Sequence, residues 1–212
     1  MGITKFGILK LDLKTAVRYS HDRVLNKHCM NYIINSKSIL NVGSGYRGTY
    51  SELFLQKDYE TLDILQEAKP TYVMNILQEI PNKEYDLVIA FNVMEHIQEP
   101  KIFLKNIKKL LKEDGIFIMS IPFIYSIHSK GDYYRYAEDG LKYLVGKYFK
   151  NFKIIPFGNP FLSFLRGIAP IKYIGIPFNL TSKFWEYIFR YTDFKSPSGY
   201  FVLCSKSKAI MC

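Results

Sequence analysis

Apolar positions along this chain fall into two rhythms. Over residues 15–35, Val17, Val24, Leu25, Cys29, Tyr32 and Ile33 recur at helical spacing with polar residues between them, which predicts a helix with one buried face. Short apolar runs then follow: Ile39, Leu40 and Val42, then residues 59–64, 71–74, 85–91 and 116–121. Runs this short and this continuous belong to strands covered on both faces, as in a parallel sheet. Residues 101–111 interrupt them with an amphipathic helical pattern, and a further helix begins near Ala137 and closes over residues 142–149. Residues 152–157 and 200–204 suit a sixth and a seventh strand. Strands alternating with helices predict an α/β fold.

The first strand runs into Gly43-Ser44-Gly45, with Gly48 and a helical SELFLQ after it. A strand, a glycine turn and a helix bring bare backbone up to a nucleotide in such sheets. A Cβ there would block either the turn or the approach of the ligand. The second strand is read as ending in Asp63, about 20 residues past the glycines, where a carboxylate can accept both hydroxyl hydrogens of a ribose.

Leu40-Asn41-Val42-Gly43-Ser44-Gly45 resembles the first motif of the class I S-adenosylmethionine-dependent methyltransferases, with Asn41 where Asp or Glu is usual. The stretch DLVIAFNVMEHIQEP, residues 86–100, resembles the fourth motif of that family and its Leu-Glu-His continuation. Asn75-Ile76 stands where the family carries an Asp near the adenine; a turn-capping Asn is the other reading of the same residue, and both stay open. The resemblance implies a Rossmann-like seven-stranded sheet flanked by helices, its last strand antiparallel, with an aromatic-rich insertion between strands 6 and 7. It implies S-adenosylmethionine as cofactor, surrounded by Asn41, Gly43, Ser44, Gly45, Asp63, Ile64, Asn75, Ile76, Phe91 and Asn92. The expected organisation is one domain: a helical cap over residues 1–37, a cofactor-binding core over 38–157, an insertion or lid over 158–199 and the last strand over 200–208.

Charge changes the picture. The net charge of +10 is carried by the flanks: residues 1–37 hold seven Lys/Arg against two acids and residues 141–212 eleven against two, whereas residues 38–140 hold eleven against fifteen. A mildly acidic core between basic flanks points to an anionic partner such as membrane head groups, a phosphorylated carrier or nucleic acid. Cys29, Cys204 and Cys212 lack paired spacing and predict neither disulfides nor a zinc site. Lys5, Lys10 and Asp12 interrupt any signal-peptide pattern, and no run approaches the ~18 apolar residues of a spanning helix. The expected location is the cytoplasm, up to the inner face of the membrane.

Chemistry concentrates after the fifth strand, in His128-Ser129-Lys130-Gly131-Asp132-Tyr133-Tyr134-Arg135-Tyr136. This resembles a His…Asp-Tyr-x-Arg-Tyr motif in a bacterial methyltransferase subgroup associated with cell-surface glycan or lipid biosynthesis, without the Pro often found before the Asp. Methyl transfer needs in-line placement and a dry cavity, and an alcohol acceptor also needs a base. His128 is the expected base, with Asp132 and Arg135 beside it, either in catalysis or as an ion pair pinning the loop. Quinone and small-RNA O-methyltransferases resembling this region carry Glu-x-x-Glu-His; here Asn92 replaces the first Glu and removes an anionic ligand, so no metal is expected.

The function expected is O-methylation of a small-molecule, glycan or lipid-linked acceptor. The basic flanks with interleaved aromatics motivate RNA methylation as an alternative. Against it, Phe91-Asn92-Val93-Met94 stands where amino-methylating nucleic-acid enzymes carry Asp/Asn-Pro-Pro-aromatic. A non-catalytic S-adenosylmethionine-binding subunit is a third reading, motivated by Asn41 and Asn75. In the insertion, Phe184, Trp185, Ile188, Phe189 and Tyr191 with Lys183 and Arg190 suit either a pocket lid or an element docking on anionic membrane.

Overall fold

The computed structural model describes residues 16–46, 54, 57–127, 129–158, 196–207 and 210. Its centre is β1, Ser38–Val42, whose five residues are all buried. Parallel neighbours β2 (Asp58–Asp63) and β4 (Tyr85–Phe91) flank it. The short β3 (Tyr72–Val73) adds to β2, and β5 (Leu111–Pro122) to β4, both parallel. Finally β7 (Gly199–Ser205) lies antiparallel between β5 and β6 (Asn151–Phe157). The seven strands stand in the order β3-β2-β1-β4-β5-β7-β6. The winding reverses between β1 and β4, which opens a crevice at their carboxyl ends.

Two apolar layers hold the sheet. On one face Leu40, Val42, Val88 and Ala90 pack with α3 (Pro100–Leu110) and α4 (Glu138–Gly146). In α3 the buried Phe103, Leu104, Ile107 and Leu110 keep helical spacing, and Pro100 occupies the first turn, where its missing N–H is not needed. On the other face Ile39, Leu87, Ile89 and Ile118 meet the N-terminal helix. That helix comprises α1 (Ala16–Val24), a π-turn at Leu25–Cys29 and α2 (Met30–Asn35). Among its residues of described burial, Val17, His21, Leu25, Cys29 and Ile33 are the buried ones, each four positions after the last. A strict four-residue step drifts about 40° per turn around an α-helix, and the wider π-turn returns the stripe to the sheet.

The helix from Ala16 to Asn35, the strand over 85–91 and the antiparallel last strand match the sequence expectation. Two boundaries moved. β5 begins at Leu111, not Ile116: Leu111 pairs with Tyr85, residues 112–115 bulge, and pairing resumes at Ile116 with Leu87. Lys112 holds the bulge by donating to Asp86 Oδ1 (2.9 Å) and Ser38 Oγ (3.1 Å). β3 has two residues because Thr61 and Thr71 exchange side-chain-to-backbone bonds, Thr61 N to Thr71 Oγ1 at 3.1 Å and Thr71 N to Thr61 Oγ1 at 2.9 Å, in place of a ladder pair. The expected insertion over 158–199 lies outside the described residues except at its two ends. So does the helix expected after Gly48, apart from Phe54.

Candidate functional site

The β1–β2 ladder extends one residue into the glycine turn, where Gly43 N donates to Leu62 O at 2.8 Å. Gly43 has φ +67°, and a Cβ on it would stand 2.4 Å from Val93 Cγ2, so this glycine fits the turn against the protein itself. Gly45, at φ +57°, differs: among the described residues nothing lies within 4 Å of where its Cβ would be. Its N–H donates to Asp63 Oδ2 at 2.8 Å, while Asp63 Oδ1 accepts from Leu65 N at 2.9 Å. Asp63 therefore ties the turn to the end of β2, buried among backbone donors, and Ile64 beside it is 67% exposed. Asn41, also buried, donates through Nδ2 to the Tyr59 hydroxyl at 2.9 Å.

Asn75 caps a turn: Oδ1 accepts from Leu77 N (3.0 Å), and its carbonyl accepts from Gln78 N (2.9 Å) and Glu79 N (3.0 Å). The Ile76 side chain lies in the core and its carbonyl accepts from Asn106 Nδ2 at 2.7 Å, so the side chain expected near a cofactor is turned inward. Phe91 and Asn92 end β4 at the crevice. Asn92 is exposed and left-handed (φ +54°), with its N–H on Ser120 O at 2.9 Å.

One polar residue here had no place in the sequence reading. His21 reaches from α1 to put Nε2 3.0 Å from Ser120 Oγ, and Ser120 Oγ lies 3.4 Å from Asn92 Oδ1. Phe91, Phe157 and Phe201 surround its ring at 4.4–5.7 Å between centroids. Burial lowers its pKa, against the pull of a hydrogen bond donated to the Asp22 carboxylate. The signal that could have found it is the four-residue stripe, on which His21 occupies a core position.

His128 lies outside the described residues. The rest of its loop folds back on the 3₁₀ turn Met94–His96 after β4. Tyr133 N and Tyr134 N donate to the Glu95 carbonyl at 2.8 and 3.3 Å, and His96 Nδ1 lies 3.0 Å from Gly131 O. Gln98 Nε2 donates to the Tyr133 hydroxyl at 2.7 Å, and the Tyr134 hydroxyl donates to Gln98 O at 3.1 Å. Asp132 and Arg135 form a bidentate ion pair, with the Asp132 side chain fully buried. Of the three phenols Tyr133 and Tyr134 are exposed, while Tyr136 packs against the core.

Beneath this loop the Glu95 side chain is fully buried. Neither of its carboxylate oxygens has a hydrogen-bond partner among the described residues, nor does Arg135 Nε or the Tyr136 hydroxyl. Burial pushes the Glu95 carboxyl up to about 7, against its own backbone N–H and Arg135, with Asp132 adding to the rise. Among the described residues no group of three or more His, Cys, Asp or Glu is placed to hold a metal, and no helix is long and apolar enough to cross a membrane.

A family model described as a methyltransferase domain matches residues 17–151. The ubiquinone biosynthesis O-methyltransferase of Rickettsia bellii (strain OSU 85-389) is 30% identical over 131 residues, 55% of this chain and 53% of that protein. The chain thus spans about half the length of the curated relatives it matches. Among solved structures, a SAM-dependent methyltransferase from Archaeoglobus fulgidus superimposes with a TM-score of 0.60 at 18% identity, covering 87% of this chain and 92% of that one. Coclaurine N-methyltransferase bound to N-methylheliamine and SAH gives 0.60 at 12% identity, covering 96% and 76%. The solved structures share the fold, and the family match spans the N-terminal helix, strands β1 to β5, the glycine turn and the turn after β4 together. The chain belongs to the methyltransferase-domain family.

Proposed function

We propose that this chain binds S-adenosylmethionine over Gly43–Gly45 and methylates an oxygen of a small-molecule, glycan or lipid-linked acceptor held against the loop over residues 129–136. The observation that carries the reading is Gly45. Among the described residues nothing fills the space that a Cβ on its left-handed backbone would take, at the carboxyl end of β1 and tied to Asp63. The residues present fit the cofactor. Each Asp63 oxygen accepts one backbone N–H and keeps a second lone pair for a ribose hydroxyl. Ile64 offers an exposed apolar surface for a ring. With Nδ2 on Tyr59, Asn41 faces an ammonium through Oδ1. Asn75 and Ile76 contribute backbone, and Phe91 and Asn92 form the wall at the end of β4.

When bound, the cofactor supplies a methyl group on an electrophilic sulfonium. The protein contributes placement and a route for the acceptor proton. His128 accepts that proton, while the Asp132–Arg135 pair and the Glu95 carbonyl hold the loop that carries it. An oxygen acceptor is supported by the O-methyltransferase relatives, the basic flanks fit an anionic or membrane-borne acceptor, and Phe91-Asn92-Val93-Met94 speaks against the amino-methylating nucleic-acid enzymes.

Calorimetric titration with S-adenosylhomocysteine tests the cofactor site. The parent should bind saturably, Asp63→Ala should lose at least tenfold in affinity, since a hydrogen bond to a charged group is worth about 1.5–3 kcal/mol, and His128→Ala should bind like the parent. Absence of binding by the parent would remove the reading. Binding by the parent with no turnover on any phenol, sugar or lipid-linked alcohol would leave the non-catalytic subunit in its place.

A further inference from the structure

The two basic flanks of the sequence meet in the fold, and they do so away from the glycine turn. The N-terminal helix starts at the carboxyl edge of the sheet, where His21 touches Ser120, and ends at the amino edge, where Ser38 begins β1. Midway, its π-turn and α2 face β6 across a cleft of about 90 Å³, several times the room one water needs. Lys27, His28, Asn31 and Tyr32 line it from the helix and Lys153 from β6, over an apolar floor. Among the described residues no carboxylate lines it.

We propose that this cleft is a second ligand site, taking a phosphate group between Lys27, Lys153 and His28. Two ammonium groups in one cleft without a carboxylate repel each other, and a compact dianion removes that repulsion. Their field is felt at His28, where burial and then the charges of Lys27 and Lys153 lower the pKa. Asn31 is oriented to donate, because its amide oxygen is held by Asn35 Nδ2 at 3.0 Å, which turns its own Nδ2 away. The wide turn at Leu25–Cys29 contributes Lys27 and His28, and such turns recur at functional sites. A phosphate group presents several acceptors in tetrahedral array to the donors that line the cleft. The site is independent of the methyl-transfer reading, because none of its residues belongs to the glycine turn or the acceptor loop.

Bound phosphate favours the protonated imidazole, so His28 becomes harder to deprotonate and affinity rises as pH falls through its titration. Lys27, Lys153 and the Tyr32 phenol are the titratable groups facing that ring across the cleft. The measurement is the His28 ring titration by NMR, in inorganic phosphate and in chloride at matched ionic strength. The His28 midpoint should move up by at least half a pH unit in phosphate, while those of His21 and His96 stay in place. In the Lys27→Gln/Lys153→Gln double variant the shift should vanish and phosphate affinity fall at least tenfold. A second arm separates the sources of the phosphate group. Co-sedimentation with phosphatidylcholine vesicles containing phosphatidic acid, competed by inorganic phosphate, identifies a lipid headgroup. A His28 shift without co-sedimentation identifies a soluble phosphate-bearing ligand. Identical His28 curves for the parent protein in the two salts, with no phosphatidic-acid-dependent sedimentation, overturn the proposal whether or not the double variant folds.

Discussion

The two halves of the candidate site are built on opposite principles. At the glycine turn one carboxylate, Asp63 at the carboxyl end of β2, is satisfied by backbone N–H groups from both sides. At the acceptor loop Asp132, Arg135 and Glu95 are drawn under the protein, and four polar atoms there lack a partner among the described residues. The first arrangement is pre-formed and cheap to keep. The second concentrates buried charge where a short loop must be held in one geometry. Variants should therefore separate the regions: changes at the turn should affect ligand binding, and changes at the loop should affect stability.

The largest effect is expected from Arg135→Ala. It breaks the bidentate ion pair on the buried Asp132 carboxylate beside Glu95, and should cost about 3–5 kcal/mol in urea unfolding. Asp63→Ala, measured the same way, should cost far less while losing cofactor affinity. Equal losses in the two variants would erase the difference between the two regions.

Within the turn the two glycines should also part company. Gly43→Ala combines left-handed strain with an overlap on Val93, and about 3 kcal/mol of stability should be lost. Gly45→Ala meets only the strain, about 1–2 kcal/mol, and its main effect should appear in S-adenosylhomocysteine binding.

Glu95 gives the loop a pH dependence. Its carboxyl is raised from 4.5 to about 7, so its contribution to stability is full below about 4.5 and is lost as pH rises through about 7. Glu95→Gln should therefore gain on the parent between pH 5 and 8, by about 2 kcal/mol, in denaturant midpoints taken across that range. A parent and variant that stay parallel would show that Glu95 is ionised with a partner at every pH.

The smallest effect is expected at His21, and its sign is opposite. Burial lowers the His21 pKa from 6.5, so its contribution is present above that value and is lost as pH falls below it. His21→Phe, which keeps an aromatic ring among Phe91, Phe157 and Phe201, should cost about 1 kcal/mol near neutrality and flatten the acid side of the stability curve.

Sequence by itself determined what local spacing encodes. The apolar run over 85–91, the helical face over 15–35, the glycine turn with its carboxylate at the end of the next strand, and the Asp132–Arg135 pair three residues apart are all short-range patterns. Backbone period and side-chain reach make those patterns nearly independent of the rest of the chain. Tertiary structure decided whatever depends on which strands lie side by side. Val93 fills the space beside Gly43 because β4 neighbours β1, and His21 meets Ser120 across 99 positions because the N-terminal helix crosses β5. The acceptor loop rests on the Glu95 carbonyl because β4 and β5 end together, and Lys27 faces Lys153 because β7 inserts antiparallel and sets β6 at the edge under that helix. Periodicity specifies which face of an element is apolar, whereas the partner of that face follows from the strand order, to which sequence-distant residues contribute jointly.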